Sequence, residues 1–308
     1  MTSFSVVALM KEEIFVIQKF VNYYCKIGAR RIYIYIDGEM DNEIAKYKNG
    51  IVDNNTEVRF VFCDDVFWEQ IDGGRPKDVQ PRLEAVFQHC HCRDDSDWLL
   101  ICDADEFIVS KKSLNQLLDS VPQEVYSFGI DPVEAVWGPD EDISDPFGSS
   151  YFRKPNIYNK FLLIRLYGVF FFLFRNGILG HTIGKHFVRK GVEFSSIGCH
   201  KAYVNGKGVT TPASSIGYEL SDIMVAHFDA ISFERWYQKW YRRSYNETIS
   251  AKKRRSGRRQ VQEKIFKILN NFDENQSQWL FRRLFKINRS QLKILESHDA
   301  VIKMRLFL

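Results

Sequence analysis

The first third of the chain alternates short apolar runs with amphipathic segments. Runs rich in β-branched and aromatic residues predict four strands, at residues 4–9, 31–36, 58–63 and 98–102. Apolar residues recur at helical spacing between residues 14 and 24, with Gly28 placed to end that helix, and residues 82–92 indicate another helix. Strands that alternate with helices imply right-handed βαβ crossovers. The pattern therefore predicts an α/β fold with a mainly parallel sheet.

The middle of the chain, residues 126–210, is less regular and contains the most apolar segment. That segment, residues 161–174, has Arg165 as its one charged residue and is too short to span a bilayer. One interpretation is a buried strand-turn-strand or helix, and the other is an element that dips into a membrane surface. From residue 233 onward the pattern is helical, and it includes a basic linker at residues 252–259.

Composition excludes several classes of protein. The chain has 308 residues, 45% of them hydrophobic and 27% charged, which is enough apolar material for a core and excludes a disordered chain. No apolar stretch reaches the roughly 18 residues of a spanning helix, and the first nine residues do not resemble a secretion signal. The six cysteines form no CxxC pair, which favours reduced thiols over disulfides or a zinc site. We therefore expect a cytoplasmic protein.

Charge is distributed unevenly, although the net charge is only +4. Most acidic residues precede Asp145, whereas residues 235–259 are strongly basic, with aromatic residues between the basic ones. Three interpretations are open for this segment: a helix that packs its aromatics on the core, a helix that lies on anionic lipid, or a nucleic-acid-binding helix. We expect no nucleic acid partner, and peripheral contact with the inner face of a membrane is a hypothesis.

The strongest local signal is an acidic cluster after the fourth predicted strand. Asp103 and Asp105 are one residue apart, and side chains at i and i+2 of an extended segment point to the same side, with Glu106 facing elsewhere or capping the next turn. Two carboxylates held so close repel each other unless a cation neutralises them. Carboxylate oxygens suit Mg²⁺ or Mn²⁺. The pattern predicts a metal site, with a solvated acidic turn as the alternative.

Other polar residues follow the predicted strands in the same way. Ligands of open α/β sheets bind beyond the carboxyl ends of the strands. The residues to consider there are Lys11, Glu12, Asp37, Asp64, Asp65, Asp103 and Asp105.

Residues 97–108 resemble the "DW-apolar-DxDEF" signature of family 2-like and family 92-like glycosyltransferases, which have the GT-A fold. Further segments resemble the same enzymes and occur in the expected order. Residues 10–13 and 28–37 together resemble the opening of these enzymes, and they are followed by residues 80–90, 184–200 and 225–234. Departures are Glu12 in place of asparagine in the opening turn, and Ala226, Phe228 and Ile231 in the last segment. The resemblance covers about residues 5–243.

This resemblance implies a GT-A, Rossmann-like organisation with helices flanking a mainly parallel sheet. Residues 1–232 would form the glycosyltransferase domain, with a nucleotide-sugar-binding half at 1–110 and an acceptor-side half at 111–232. Residues 233–308 would form a helical, basic and aromatic C-terminal extension.

The resemblance also implies roles for particular residues. Asp105 would bind the metal, Asp103 would contact the ribose or bridge to the metal through water, and His227 and His200 are candidates to complete the metal shell. Donor contacts are expected from Lys11, Glu12, Asp37, Arg82 and Lys185. The general base is expected to be a carboxylate, and we name Asp142 of the acidic loop 140–145. Spacing does not separate it from Glu134, Asp140, Glu141, Glu193 and Asp222.

The implied function is metal-dependent, inverting transfer of a sugar from a nucleotide-sugar donor to a glycan or lipid-linked acceptor. Cell-surface polysaccharide synthesis, of lipopolysaccharide or capsule, is the expected setting. Two other classes stay open at this point: a metal-dependent phosphoesterase or nuclease that uses Asp103 and Asp105, and a non-catalytic nucleotide-binding protein of the same fold.

Overall fold

The computed structural model describes residues 2–38, 42–50, 55–245 and 267–307, with the side chains of 242–245 left out. The chain divides into two compact units, each made of two separate stretches. The first unit comprises Met1–Asp131 and Ile183–Val225, and the second comprises Pro132–Thr182 and Ala226–Leu308.

The described α-helices and strands follow one another along the chain. The first seven helices are α1 (Ile14–Lys26), α2 (Asn42–Gly50), α3 (Asp65–Asp72), α4 (Val79–Arg93), α5 (Leu114–Asp119), α6 (Lys160–Tyr167) and α7 (Phe233–Tyr245). Two more span Glu274–Phe285 and Arg289–Ser297. The strands are β1 (Phe4–Met10), β2 (Arg31–Ile36), β3 (Glu57–Phe62), β4 (Trp98–Ile101), β5 (Glu106–Ser110), β6 (Ser127–Ile130), β7 (Pro132–Val136), β8 (Tyr151–Arg153), β9 (Lys185–Arg189), β10 (Ser196–Ile197), β11 (Ala202–Val204), β12 (Lys207–Gly208), β13 (Thr210–Pro212), β14 (Ile223–His227) and β15 (Val301–Lys303).

The first unit is built on a seven-stranded sheet of order β13-β6-β9-β4-β1-β2-β3. β1, β2, β3 and β4 pair in parallel, and β13 pairs in parallel with β6. β9 alone is antiparallel to its neighbours, β4 on one side and β6 on the other. The predicted α/β fold with a mainly parallel sheet is therefore confirmed.

Helices cover this sheet because their sequences place apolar residues on one side. In α1, Val16, Ile17, Phe20 and Tyr24 are buried, at the spacing of a single helix face. The helix ends before Gly28, whose φ of 85° lies in the left-handed region that glycine adopts without a steric penalty. β4 is buried at every position, as expected for an inner strand covered on both sides.

The parallel strands of the sheet all have their carboxyl ends on one side. β1, β2, β3, β4, β6 and β13 end there. The antiparallel β9 begins there, because Ile101 lies opposite His186 and Ile130 lies opposite Lys185. The residues that follow these strands are thus brought to one rim of the first unit.

The second unit contains β15, β8 and β7, paired in antiparallel fashion in that order. Its core packs Trp137, Trp236 and Phe281, among other side chains, between the strands and the C-terminal helices. The helices Glu274–Phe285 and Arg289–Ser297 each begin with a capping box, Asp273 with Gln276 and Asn288 with Gln291. The C-terminal region is helical as expected in these parts, and β15 adds a strand to it.

Residues 161–174 lie mostly in α6 and in a 3₁₀-helix, Gly168–Leu173, so this segment is helical and not a strand-turn-strand. Leu163, Leu166 and Tyr167 are buried, but Phe161 and Val169 are exposed, so the expectation of a wholly buried element is wrong. Gly168 joins α6 to the 3₁₀-helix with a φ of 58°. The units also differ from the predicted boundary at residue 232, because residues 132–182 group with 226–308.

Candidate functional site

A lysine and two carboxylates form the centre of the rim at the end of β4. Lys185 Nζ lies 2.7 Å from Asp103 Oδ2 and 3.2 Å from Glu106 Oε2. Glu106 Oε2 also accepts a hydrogen bond from the backbone N–H of Asp103, at 3.0 Å. Lys185 comes from the first position of β9, so the antiparallel strand delivers a cation to the acidic end of β4.

Lys185 is held in its charged form. Burial by itself lowers the pKa of the ammonium group, but the carboxylates of Asp103 and Glu106 outweigh burial and raise the pKa well above its ordinary value. The Lys185 side chain is almost completely buried, whereas 44% of the Asp103 side chain is exposed. The centre therefore offers one fixed positive charge beneath one accessible carboxylate.

The local geometry of the acidic cluster differs from the expected one. β4 ends at Ile101, and Ala104 and Asp105 lie in a turn, so the extended segment that the i, i+2 argument assumed is not present. Glu106 was expected to face elsewhere or to cap the next turn; its carboxylate accepts the N–H of Asp103 at this turn and also contacts Lys185. The reason is that a turn rotates successive side chains differently from a strand.

These residues could hold a metal ion only if water or a bound substrate supplied further ligands. Within the described parts of the chain, no group of three or more His, Cys, Asp or Glu side chains is arranged to hold a metal ion. Mg²⁺ and Mn²⁺ usually keep waters and share phosphate oxygens with a substrate, so one or two carboxylates suffice when a diphosphate is bound. Asp103 and Asp105 supply oxygen ligands of the right kind.

Asp37 lies at the same rim, between two arginines. The residue follows β2 and is buried; Arg75 donates to its Oδ1 at 2.8 Å and Arg82 donates to its Oδ2. Arg82 was expected near the donor, and the structure places it on α4 against Asp37. Arg75 was not expected, because no local pattern links it to a residue 38 positions away.

Lys11 and Glu12 follow β1 directly. The N–H of Asp37 donates to the carbonyl oxygen of Met10 at 2.8 Å, so the ends of β1 and β2 adjoin. Lys11 is exposed and Glu12 is half-buried. Both residues are thus near the Asp37 end of the rim.

His200 belongs to the first unit. Its Nδ1 lies 2.9 Å from the carbonyl oxygen of Gly184, the residue before β9. Since a carbonyl only accepts, Nδ1 carries the proton, and Nε2 has the lone pair that a metal ligand needs. A neighbouring histidine, His186, is fully buried, and this burial lowers its pKa to about 4. His186 bonds Ser127 and Gly198, so it is a structural residue.

His227 belongs to the second unit, within a group of buried charges. Its Nε2 lies 4.0 Å from Asp229 Oδ1, and Lys239 donates to the same carboxylate oxygen at 2.9 Å. Gly180 makes room for it, because a Cβ there would lie 3.2 Å from both His227 Nδ1 and Glu134 Oε1. Asp229 was not singled out from the sequence, although it follows His227 by two positions.

Glu134 serves a structural purpose in the second unit. It is buried, pairs with the buried Arg153, and accepts the backbone N–H groups of Leu179 and Gly180. Its oxygens are therefore occupied in fixing the 179–180 turn. This arrangement makes Glu134 a poor candidate for the general base among the carboxylates that the sequence left open.

The other candidate bases are at the surface. Asp142 is exposed and accepts from the N–H and hydroxyl of Ser144, and these hydrogen bonds lower its pKa. Asp140 pairs with Arg289, and Asp222 pairs with Lys111. Glu141 accepts from Gly138 and Ser150.

Asp131 is a further carboxylate at the rim of the first unit. It follows β6 directly, as Asp37 follows β2, so the rule that identified Asp37 also applies to it. The residue Asp131 is exposed overall. Its carboxyl group is nevertheless partly surrounded by protein, and this partial burial raises the pKa of the carboxyl group. Gly184 approaches the backbone of Ile130 and Asp131 closely, since a Cβ on Gly184 would collide with the Ile130 carbonyl oxygen.

The chain matches the model of a known protein family. The model of glycosyltransferase family 92 matches residues 7–265. No curated protein matches the chain.

Several solved structures are similar to the chain. HddC from Yersinia pseudotuberculosis is 10% identical, with a TM-score of 0.38, and the match covers 69% of this chain and 89% of that one. GalNAc-T7, solved with UDP, GalNAc and Mn²⁺, is 10% identical, with a TM-score of 0.36 and coverage of 87% and 56%. The galactosyltransferase LgtC, solved with donor and acceptor sugar analogues, is 11% identical, with a TM-score of 0.29 and coverage of 60% and 57%.

In a mainly parallel α/β sheet, ligands bind beyond the carboxyl ends of the strands, and this chain places a group of charged residues there. The match over most of the chain identifies it more closely: the chain belongs to glycosyltransferase family 92. It is therefore a glycosyltransferase, and the expected resemblance to family 92 is confirmed.

Proposed function

We propose that the rim of the first unit binds a nucleotide-sugar donor and that the enzyme transfers the sugar to a glycan or lipid-linked acceptor with inversion. The observation that carries the proposal is the group formed by Lys185, Asp103 and Glu106 at the end of β4. Next to it, Asp37 is held by two arginines on the same sheet edge. Together they offer cations for a diphosphate and carboxylates for ribose hydroxyls.

Arg75 and Arg82 give the rim its specificity for an anionic donor. Arg82 is nearly buried at its pairing with Asp37, while more of Arg75 is exposed to solvent. A guanidinium group binds phosphate oxygens through several parallel hydrogen bonds. Arg75 can thus meet a phosphate while Arg82 keeps Asp37 oriented toward the ribose or base.

Asp105 and Asp103 are the residues that would hold Mn²⁺ or Mg²⁺, and His200 of the same unit stays a candidate for a further ligand. When bound, such an ion neutralises the diphosphate and stabilises it as a leaving group. Lys185 also stabilises the diphosphate leaving group, because it carries a positive charge and its Nζ contacts Asp103. Lys11 and Glu12 are proposed to line the donor side of the rim.

The acceptor hydroxyl must lose a proton as it attacks the anomeric carbon. Asp142 is the base named from the sequence. Asp131 is a second candidate, since it lies at the donor rim and its raised pKa makes it a better proton acceptor than an ordinary aspartate. Both carboxylates stay in the proposal.

The family assignment favours transfer over the two other classes that the sequence left open. A phosphoesterase or nuclease of the two-metal kind needs several more metal ligands than the rim provides. We propose cell-surface polysaccharide, lipopolysaccharide or capsule, as the product.

The test is donor binding and turnover with a panel of UDP-, GDP- and CMP-sugars in the presence of Mn²⁺ or Mg²⁺. We expect one donor to bind in titration calorimetry only with the ion, and Asp105→Asn to reduce both ion-dependent binding and turnover at least a hundredfold. Asp72→Asn is the matched control, because Asp72 is exposed at the end of α3 and has no role at the rim.

Failure of every sugar nucleotide to bind, with or without a metal ion, contradicts the donor site. Unchanged turnover in Asp105→Asn removes the metal assignment alone. The stereochemistry is read separately from the anomeric proton signals of the product by NMR, where retention would overturn the inverting mechanism.

A further inference from the structure

The second unit exposes large apolar side chains on α6 and on the 3₁₀-helix that follows it. Phe161 is 83% exposed and Val169 is 75% exposed, with Tyr158 and Ile164 exposed beside them. Phe161 and Ile164 are three positions apart and so lie on one face of α6. The opposite face, with Leu163, Leu166 and Tyr167, is in the core. Single exposed apolar residues are common, but several on consecutive turns indicate a surface that meets another apolar phase.

Basic residues accompany these side chains and acidic ones do not. Residues 146–182 contain no aspartate or glutamate. Lys160, Arg165 and Arg175 are exposed, and none of the three forms an ion pair with a residue that the structure describes. The Nζ of Lys160 instead lies 5.3 Å from the ring centre of Phe171. This apolar surface therefore has positive charges around it.

The helix Glu274–Phe285 extends the same kind of surface. Trp279 is 53% exposed, and its ring centre lies 5.7 Å from that of Phe170 in the 3₁₀-helix. Arg282 and Arg283 follow it and are exposed. They line a shallow pocket of about 480 Å³ together with Lys286 and Arg289. The pocket has a single acidic lining residue, Asp140, which pairs with Arg289.

We propose that this aromatic-basic face, defined by Tyr158, Phe161, Ile164, Val169 and Trp279 with Lys160, Arg165, Arg282 and Arg283, binds an anionic membrane surface. Aromatic and aliphatic side chains enter the interfacial layer of a bilayer, and the surrounding lysine and arginine side chains contact the headgroup phosphates. Each such cation near an anionic leaflet adds to the attraction. The pocket beside Trp279 has the charge to hold a headgroup phosphate.

Charge decides between a membrane and a second copy of the chain. A symmetric dimer through this face would bring Lys160, Arg165 and their partners against the same cations of the other copy. An anionic bilayer neutralises these charges, whereas a second copy adds to the repulsion. The proposal does not depend on the donor site, and it would bring the enzyme to a lipid-linked acceptor.

The tryptophans of the full-length protein provide a direct measurement. Five of the six, Trp68, Trp98, Trp137, Trp236 and Trp240, are buried, and only Trp279 is exposed. We expect the protein to sediment with vesicles of phosphatidylcholine and phosphatidylglycerol at low salt, and far less with phosphatidylcholine alone. Brominated acyl chains in the anionic vesicles should quench the fluorescence of the protein, and Trp279→Phe should remove most of the quenching.

Variants separate the apolar and the charged contributions. Phe161→Ser with Val169→Ser, and separately Lys160→Glu with Arg165→Glu, should each lower the partition coefficient about tenfold or more. Val66→Ser with Val79→Ser is the matched control, because both valines are exposed in the first unit, and it should bind as the unaltered protein does. Circular dichroism confirms that each variant is folded.

Three results would overturn the proposal. The first is no sedimentation with anionic vesicles at low salt. The second is binding that both sets of variants leave unchanged, which would place the membrane contact elsewhere. The third is concentration-dependent dimerisation that Phe161→Ser with Val169→Ser abolishes in a protein that does not bind vesicles, which would assign the face to a second copy.

Discussion

Asp131 and Asp142 show how environment separates two carboxylates of the same type. The N–H and hydroxyl of Ser144 stabilise the ionised form of Asp142 and lower its pKa, whereas burial disfavours the ionised form of Asp131 and raises its pKa. A general base works best when its pKa approaches the working pH. On this physical ground Asp131 is better suited to take a proton, although the sequence pointed to the acidic loop at Asp142.

The two candidates are distinguished by paired variants. We expect Asp131→Asn to lower kcat about a hundredfold or more, with little change in the KM for the donor. The acid limb of the pH–rate profile of the unaltered enzyme should lie above the ordinary range of an aspartate. Asp142→Asn should change kcat little. The opposite ranking of the two variants in steady-state assays would return the role to Asp142.

The folding stability of the protein provides an independent test of the raised pKa of Asp131. A carboxyl whose pKa is raised on folding contributes stability below its ordinary pKa, and that contribution is lost as the pH rises through the raised value. Asp131→Asn removes the ionisable group. The melting temperature should therefore be unchanged or higher at neutral pH, so a loss of activity there would not come from unfolding.

At the scale of the elements, one antiparallel strand organises the site. β9 lies between β4 and β6, and its first residue, Lys185, pairs with Asp103 and Glu106 at the end of β4. Buried charges are tolerated only when they are paired. The ion pairs of Lys185 thus stabilise the pairing of β9 with β4, and this pairing of strands holds the charged residues of the site in place.

The pairing predicts a specific pattern of stability. Lys185→Met leaves the Glu106 carboxylate buried without its cation and should cost about 3–5 kcal/mol of unfolding free energy. Adding Glu106→Gln should restore most of this loss, because the buried charge is then removed as well. Both are measured by urea denaturation. Equal stability of the single and the double variant would show that the two groups do not interact.

The elements also show where sequence patterns succeed. The strands at residues 4–10, 31–36, 57–62 and 98–101 and the helices α1 and α4 were expected, because their apolar residues follow a clear period. α2, α3 and α5 were not expected: α2 and α3 each bury a single residue, and α5 is only six residues long. The turn at Ala104–Asp105 was expected only as the alternative to an extended segment, because an acidic DxD sequence fits a strand end and a turn equally well.

At the scale of the whole molecule, the chain forms its first unit from two distant stretches. The stretch Ile183–Val225 returns to supply β9 and β13 to a sheet that residues 1–131 begin. No described helix is long and apolar enough to cross a membrane. The hypothesis on residues 235–259 lies outside the described residues beyond Tyr245, and the side chains of Arg242 and Arg243 are outside them as well.

This arrangement predicts the behaviour of fragments. Residues 1–131 alone lack β9, so β4 and β6 would each lose a neighbour, and we expect no cooperative unfolding transition. A chain in which a short glycine-serine linker joins Asp131 to Ile183 keeps β9 beside its partners, since Ile130 and Lys185 are opposite in register. It should unfold cooperatively in a thermal scan. A cooperative transition in the 1–131 fragment would contradict the division into units.

The amino-acid sequence by itself determined the α/β class, the positions of the apolar strands and the acidic residues that follow them, because period and local composition act over a few residues. It also carried the resemblance to family 92, which the match to that family's model confirmed. The tertiary structure alone decided that Arg75 and Arg82 hold Asp37, that Lys185 faces Asp103 and Glu106, and that residues 132–182 join the C-terminal unit. These pairings join residues tens of positions apart, and only the packing of strands and helices into layers brings them within hydrogen-bond distance.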